Sequence, residues 1–429
     1  MANTKLTRTF GSGGSGTKWT LSAWIKRSKT GIDQYIMSRY VTGTKYVKIL
    51  FNDQDTLEYS VYNNNAGGYQ GRYKTTAKYR DTSAWYHIVI AQDTSLGTAA
   101  DRVKFYINGE LITSFGTNSQ LGQNVNGDFN TATPHQIGAY NSTNYFQGSM
   151  SHFHFCDNQQ YAASNFGSVD SVTGEWQINT SPSVNYGTTG FLVLKDGTTV
   201  TDQSSNSNNW SVGGTLTKTQ DCPSNNFPTL LTYEATDSNA LIDDRTNGNT
   251  VGRSTTSGYS NYFATMGATS GKYYWEFKYL AGAANNINIG GGIRLADSLK
   301  GMGLDAYATA AGAWIVAYDG RKFNTVAGKS AANFTSGQSN NDICHIAWNA
   351  TIGAWWFGVN GTWAASATDS EIAAGTVTHA VYSSLDTTRP YVPCCFDAHT
   401  TGNTHDFAFN FGNGFFASTA VSSAGTNAS

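Results

Sequence analysis

Three residues able to hold a transition metal recur at alternate positions: His152, His154 and Cys156. On a strand that spacing puts all three on one face. Two imidazoles beside a thiolate are a donor set for zinc or copper. A structural reading competes, in which the imidazoles pack or hydrogen-bond inside a sheet. No fourth ligand is visible, so the expectation is no metal and no cofactor, with these three as the candidates if one binds. Asn124, Asn126, Asp128 and Asn130 set oxygens at alternate positions, as calcium loops do. Only one of the four is a carboxylate, which favours a plain polar loop. A third group is chemically different. Between Tyr62 and Tyr79 lie Asn63, Asn64, Asn65, Tyr69, Arg72 and Tyr73. Aromatic faces and amides are what a sugar contacts, so Asn63, Asn65, Tyr69, Arg72 and Tyr73 are the candidate ligand-binding residues. The same residue types also suit an exposed loop or a subunit interface.

Catalytic patterns are missing from the sequence. Glycoside hydrolysis needs two acids facing one bond about 5 Å or more apart. The six glutamates (Glu58, Glu110, Glu175, Glu234, Glu276 and Glu371) are scattered, with no Glu-x-Asp-x-x-Glu. Asp53-x-Asp55 and Asp243-Asp244 read as turn residues. There is no Gly-x-Ser-x-Gly, no His-Glu-x-x-His and no P-loop. Gly328-Lys329-Ser330 is a near miss, because Phe323 stands where the first P-loop glycine belongs. The chain is expected not to be an enzyme.

The elements that must position such residues are strands. The chain has 429 residues, 13% of them charged and 13% aromatic, with net charge −2. Typical domains carry about 25% charged residues. The near-neutral balance argues against a nucleic-acid partner. No apolar run approaches the ~18 residues of a membrane span, so no membrane insertion is expected. The five cysteines include adjacent Cys394 and Cys395 and form no C-x-x-C, so no disulfide framework is expected. The N-terminal MANTKLTRTFGSGG carries no apolar signal-peptide core. Synthesis in a reducing cytosol, combined with a low-charge aromatic surface suited to the outside, fits a virion component assembled in the host cytoplasm; the alternative is a cytosolic β protein of odd composition. Sequons such as those at Asn141 and Asn349 carry little weight in a chain this rich in Asn and Thr.

Two stretches share a pattern. Trp85–Ile90 leads to Val103-Lys104-Phe105-Tyr106-Ile107-Asn108-Gly109, and Asn341–Asn349 leads to Trp355-Trp356-Phe357-Gly358-Val359-Asn360-Gly361. Each alternates with period two and ends in Asn-Gly, a tight-turn pair. These are expected to be the inner strands of two separate sandwiches. In Trp19–Lys26, Thr20, Ser22 and Trp24 share one face and Leu21, Ala23 and Ile25 the other. No helix is expected, because apolar residues never recur at helical spacing over three turns. Lys218–Thr229, KTQDCPSNNFPT, reads as a linker. Asn286–Ile293 carries the glycine run Gly290-Gly291-Gly292, and Ala240–Asp244 opens the second half.

The first ~215 residues resemble the laminin-G-like (concanavalin A-like) domains of phage structural proteins. The matching pieces are Thr17–Ser28, Trp85-Tyr86-His87, Phe105–Gly109, Phe146–Phe155, Asn165-Phe166-Gly167, Gly174-Glu175-Trp176, Tyr186–Phe191 and Asp202–Trp210 with its Asn208-Asn209-Trp210. The segment Asp221–Leu230 is similar to the linker of such proteins. Asp157-Asn158 departs from the family's Asp-Gly, and the short strand before Arg8 leaves the first edge pairing open. In that family the His152–Cys156 segment is a mid-sheet strand. From about Leu231 to Phe416 the chain resembles a SPRY-type domain, on Gly271–Phe277, Gly290–Ile293, Trp355–Gly361, Pro390–Pro393 and Phe409–Gly412.

These resemblances imply an all-β fold of two concanavalin A-like antiparallel β-sandwiches (jelly-roll type) in tandem. The expected boundaries are 1–215, a linker at 216–230, 231–417, and a polar tail at 418–429. They also imply a non-enzymatic surface protein of a tailed phage of marine or cyanobacterial hosts: a fibre, neck, horn or capsid-decoration component. Its partners would be other virion proteins, further copies of itself and a host surface glycan. Two alternatives stand beside this. One is a tail-tip adhesin binding or cleaving polysaccharide. The other is a scaffold gripping peptides through the SPRY-like half.

Overall fold

The computed structural model describes residues 3–11, 13–195, 200–231, 245–253, 260–281, 289–298, 312–324, 328–397 and 405–421. Asp243-Asp244 and half of the Ala240–Asn261 stretch lie outside them. The fold is all-β with antiparallel pairing throughout. The chain divides into two units, Met1–Asn226 and Phe227–Ser429.

In the first unit an eight-stranded sheet runs edge to edge as Phe115–Ser119, Gly68–Lys78, Thr56–Asn63, Lys45–Phe51, Gln34–Thr42, Pro134–Ile137, Lys5–Thr9 and Ser211–Gly213. A six-stranded sheet runs Phe191–Val193, Gly148–Asp157, Lys18–Arg27, Trp85–Asp93, Val103–Ile107 and Glu110–Leu111. Alternation makes the core. Val47, Ile49, Phe51, Leu57, Tyr59 and Val61 of the first sheet meet Leu21, Ala23, Ile25, Ile88, Ile90 and Phe105 of the second. The strand Lys5–Thr9 pairs on both sides, with Pro134–Ile137 and with Ser211–Gly213, so it is internal and the later strand forms the edge.

The polar face of Lys18–Arg27 is buried too. Thr20 Oγ1 donates to the Gln159 carbonyl and accepts the Tyr161 N–H, both at 2.8 Å. Trp24 stacks on His87 at 4.8 Å, and His87 stacks on Trp176 at 5.9 Å. The segment that follows Asp157 therefore roofs this sheet, and period-two alternation here does not mark a solvent face.

Buried carboxylates fasten the loops. Asp157 accepts the Ser15 N–H at 2.7 Å, the Asn130 amide at 2.6 Å and the Thr188 N–H at 3.1 Å. Asn158 takes φ 57°, which explains why asparagine can stand at a glycine position. Asp202 accepts from the Leu192, Ser204 and Asn208 N–H groups, which folds Asp202–Trp210 so that Trp210 lies edge-on to Phe191. Asp55 is a turn residue, as expected, but it also binds buried Arg27 and the exposed Arg80, each at 2.9 Å.

The second unit has a seven-stranded sheet in the order Arg245–Thr246, Val251–Arg253, Asp406–Asn410, Lys272–Ala281, Ile343–Asn349, Ala354–Val359 and Thr362–Trp363. Its partner sheet runs Ser260–Phe263, Tyr391–Asp397, Ile289–Leu295, Ala313–Ala317, Arg321–Asn324 and Gly328–Asn333. The core gathers Trp275, Phe277, Tyr279, Ile346, Trp348, Trp355, Phe357, Phe407 and Phe409. A Cβ on Gly291 would come within 2.5 Å of the Phe277 ring, so glycine lets the two sheets approach at that point. The P-loop near miss falls on the strand Gly328–Asn333.

The two Asn-Gly strands are inner strands, as expected: Val103–Ile107 and Ala354–Val359 each pair on both sides, second from an edge with a two-residue strand beyond. One expectation needs correction. A helix does exist, Asp369–Ala374, closed by a capping box between Thr368 and Glu371. It spans six residues, so apolar spacing over three turns could not reveal it. The division between the two units, Asn226/Phe227, falls inside the segment 216–230 read as the linker, and both ends of that segment are packed. Asp221 accepts the Trp85 Nε1–H at 2.9 Å and pairs with Lys26 at 2.7 Å within the first unit. In the second unit, Leu230 is fully buried and its N–H donates to the Asn249 carbonyl.

Candidate functional site

The outward face of the eight-stranded sheet carries three rows of side chains, fixed by register. Tyr40, Tyr46, Tyr62 and Tyr69 stand directly opposite one another across four strands. Two residues along, the row is Ser38, Lys48, Ser60 and Arg72, and the next is Tyr35, Leu50, Glu58 and Lys74. Adjacent strands lie about 5 Å apart, close enough for neighbouring rings to touch. Tyr46 and Tyr62 stack at 4.9 Å with ring planes 12° apart. Tyr62 meets Tyr69 edge-on at 5.0 Å. Tyr140, from the loop after Pro134–Ile137, stacks on Tyr35 at 4.8 Å and presents edges to Tyr40 and Tyr46. Contacts of this kind hold the rings in fixed orientations.

Cations sit among the rings. The Arg72 guanidinium lies 4.7 Å from the Tyr69 ring centre and pairs with Glu58 at 3.0 Å. Lys48 Nζ lies 5.5 Å from the Tyr46 ring and 5.8 Å from that of Tyr35. Burial, together with the hydrogen bond between the Tyr46 and Tyr69 hydroxyls, pushes the Tyr46 phenol well above its ordinary range. Burial and the neighbouring phenols push Tyr140 to about 12. These hydroxyls therefore stay protonated at neutral pH and can both donate and accept.

The five candidate ligand residues separate. Tyr69 is 39% exposed and Arg72 half-buried, on the same outward face. Strict alternation would divide them. A bulge at Gln70, where the register moves from Val61↔Gly71 to Tyr62↔Tyr69, brings them together. Tyr73 is corrected: it points into the core, is 3% exposed, and its hydroxyl accepts the Leu121 N–H at 2.9 Å. Asn65 is exposed in the 3₁₀ turn Asn64–Ala66, beside the end of the tyrosine row. Asn63, half-buried, holds an Oδ1 with no partner. Tyr40, Tyr46, Lys48 and Tyr140 were missed; only Tyr46 and Lys48, two apart on one strand, carry a local signal that they share a face.

The other candidates are otherwise engaged. A bulge between Ser151 and His154, with His152 at φ 46°, breaks the alternation assumed for His152, His154 and Cys156. His154 Nδ1 lies 2.9 Å from the Tyr186 hydroxyl, and burial holds the imidazole far below its usual pKa. Cys156 packs with Val89, Ala163 and Phe166, where burial raises the thiol. Among the described residues no group of three His, Cys, Asp or Glu side chains converges. Asp128 faces Arg39 at 3.5 Å and Lys45 at 3.3 Å, and Asn130 is committed to Asp157 and Thr189. A cleft of about 320 Å³ in the first unit is walled by Leu6, Trp85, Phe146, Met150, Leu194 and Leu216.

Residues 6–164 match the family described as the concanavalin A-like lectin/glucanases superfamily, of the laminin G type. Solved structures with a similar course include the SPRY domain of human HERC1, at 16% identity and TM-score 0.31, covering 40% of this chain and 92% of that one. The native heptameric SAP-like pentraxin of Limulus polyphemus has 14% identity and TM-score 0.27, covering 45% and 89%. Domain 4 of AbnA, an extracellular arabinanase of Geobacillus stearothermophilus solved with arabinotriose, has 16% identity and TM-score 0.26, covering 36% and 67%. No curated protein matches the chain in sequence. The first unit has the concanavalin A-like lectin fold.

Proposed function

We propose that the chain is a non-enzymatic virion surface protein whose first unit binds a host-envelope glycan on the tyrosine face. The observation that carries the glycan reading is the row Tyr40–Tyr46–Tyr62–Tyr69, with Arg72 and Lys48 beside it. Sugars combine C–H faces with hydroxyl edges. Ring faces take the first, and phenol, guanidinium and ammonium groups take the second. Because the rings are braced on a sheet, little conformational freedom is lost on binding. Catalysis has no support on this face, where Glu58 is 2% exposed and bound by Arg72. Virion placement rests on the sequence resemblance and on the low-charge, disulfide-free composition. On this reading the protein docks on other virion proteins and copies of itself. Two experiments test it. A glycan array of host-envelope polysaccharides should register binding by the full chain without chain shortening of the bound polymer. Immunogold labelling of purified particles should place it on their surface. Product release would make it an enzyme, and unlabelled particles would refute the virion assignment.

A further inference from the structure

We infer that the glycan taken by the tyrosine face is acidic, a polysaccharide bearing uronate or sulfate groups, read by Lys48 and Arg72. This rests on the glycan reading above and narrows it. Lys48 forms no ion pair among the described residues, yet it is held over two rings in the middle of the face. Exposed cation–π contacts contribute modestly, so they orient the ammonium without discharging it. Across the register, Lys48 and Arg72 flank Ser60, which is fully buried and whose Oγ has no hydrogen-bond partner. The three rows hold three cations (Lys48, Arg72 and Lys74) against one carboxylate, Glu58. That carboxylate is buried and lies within hydrogen-bond distance of Arg72 and the Asn52 amide. Asp33, which accepts from the Tyr35 hydroxyl and the Asp53 N–H, keeps its charge but precedes the strand and lies outside the three rows. A positive face on a chain of net charge −2 is a local feature. It favours an anion and penalises nothing on a neutral sugar except lost charge complementarity.

The test uses two matched pairs of polymers with the full chain: polygalacturonate against its methyl ester, and dextran sulfate against dextran. The charged member of at least one pair should bind ten-fold or more tightly. The pair that responds tells carboxylate from sulfate. Lys48→Met should reduce that preference about ten-fold, and Lys48→Arg should restore it. Tyr46→Ala with Tyr69→Ala keeps every cation, and it too should lose the charged polymer. If it binds unchanged, the attraction is simple ion exchange and the inference falls. Equal binding of charged and neutral members overturns the acidic-ligand inference but leaves glycan binding standing. No binding of any polymer, here or on the host-envelope array, overturns both.

Discussion

Asn108 holds His87 through both backbone groups: its Oδ1 accepts the His87 N–H at 2.7 Å, and its own N–H donates to the His87 carbonyl at 2.9 Å. In the second unit Asn360 does the same to Ile343, at 2.9 and 2.8 Å. Both asparagines sit at positive φ and precede a glycine that does too. The side chain lengthens the ladder by one bond at the point where the strand must turn. Two stretches of sequence, one in each unit, thus use one device to end an aromatic strand.

That device separates two costs. Asn108→Gly keeps the left-handed backbone and loses the side-chain bond, for about 1 kcal/mol. Asn108→Ala also strains the backbone by a further ~1 kcal/mol. Urea titration of the two variants should therefore rank alanine as the less stable. Equal destabilisation would mean that the turn tolerates alanine and only the hydrogen bond matters.

Three imidazoles of the first unit should make it sensitive to mild acid. Trp176 Nε1–H donates to His87 Nδ1 at 2.9 Å, so the neutral ring carries its proton on Nε2, which faces Ser22 Oγ at 2.9 Å. Burial lowers His87 to about 3 and His135 to about 3, and holds His154 far down as well. The unfolded chain binds these protons near pH 6.5 and the folded chain does not. Stability is therefore intact above that pH and falls as pH drops toward the folded values, by about 2 kcal/mol per imidazole at pH 5. Chemical denaturation from pH 8 to 5 should show this slope, and His135→Gln should flatten part of it. A flat profile would contradict the neutral, buried assignment.

Asp55 acts in a lower window. Burial pushes its carboxyl up, but the Gly31 N–H and the Arg80 and Arg27 guanidiniums outweigh this and hold it below the ordinary range. Its contribution is present above about pH 4 and is lost only as pH falls through the depressed folded value. Asp55→Ala strands Arg27, which is 1% exposed, and should cost about 3–5 kcal/mol at pH 7. A loss below 1 kcal/mol, measured by guanidinium titration, would show that Arg27 finds other partners.

The tyrosine row should matter more to binding than to folding. Tyr69→Ala removes a 39% exposed ring and should change stability by less than about 1 kcal/mol. Its loss should weaken glycan binding roughly ten-fold, in line with about 0.5–1.5 kcal/mol per aromatic contact. Tyr73→Phe, which alters a buried ring, should leave binding unchanged. A variant of Tyr69 with full affinity would remove the row from the site.

Much of the fold was legible because alternation is a direct image of the pleat. The inward sets Leu21-Ala23-Ile25 and Val103-Phe105-Ile107 face the core as read. What alternation cannot carry is a bulge, since one extra residue exchanges the faces. This is why Tyr69 and Arg72 share a face that alternation denies them while Tyr73 turns inward, and why His152, His154 and Cys156 looked like one row. Nor can it show a roof: Ser22 and Trp24 look solvent-facing until the chain after Asp157 is laid over them. The tyrosine row needs register across four strands, which local sequence does not encode. Only its members Tyr62 and Tyr69 lay inside the stretch that drew attention. The capping box at Thr368–Glu371 was written plainly in the sequence, but it starts a helix too short for its period to appear.

The most direct test of the central claim is a crystal structure of the full chain with a bound oligosaccharide drawn from whichever polymer binds in the array. Sugar rings lying over Tyr46, Tyr62 and Tyr69, with polar groups at Lys48 and Arg72, are the expected result. A sugar held elsewhere, with the tyrosine row bare, would contradict it.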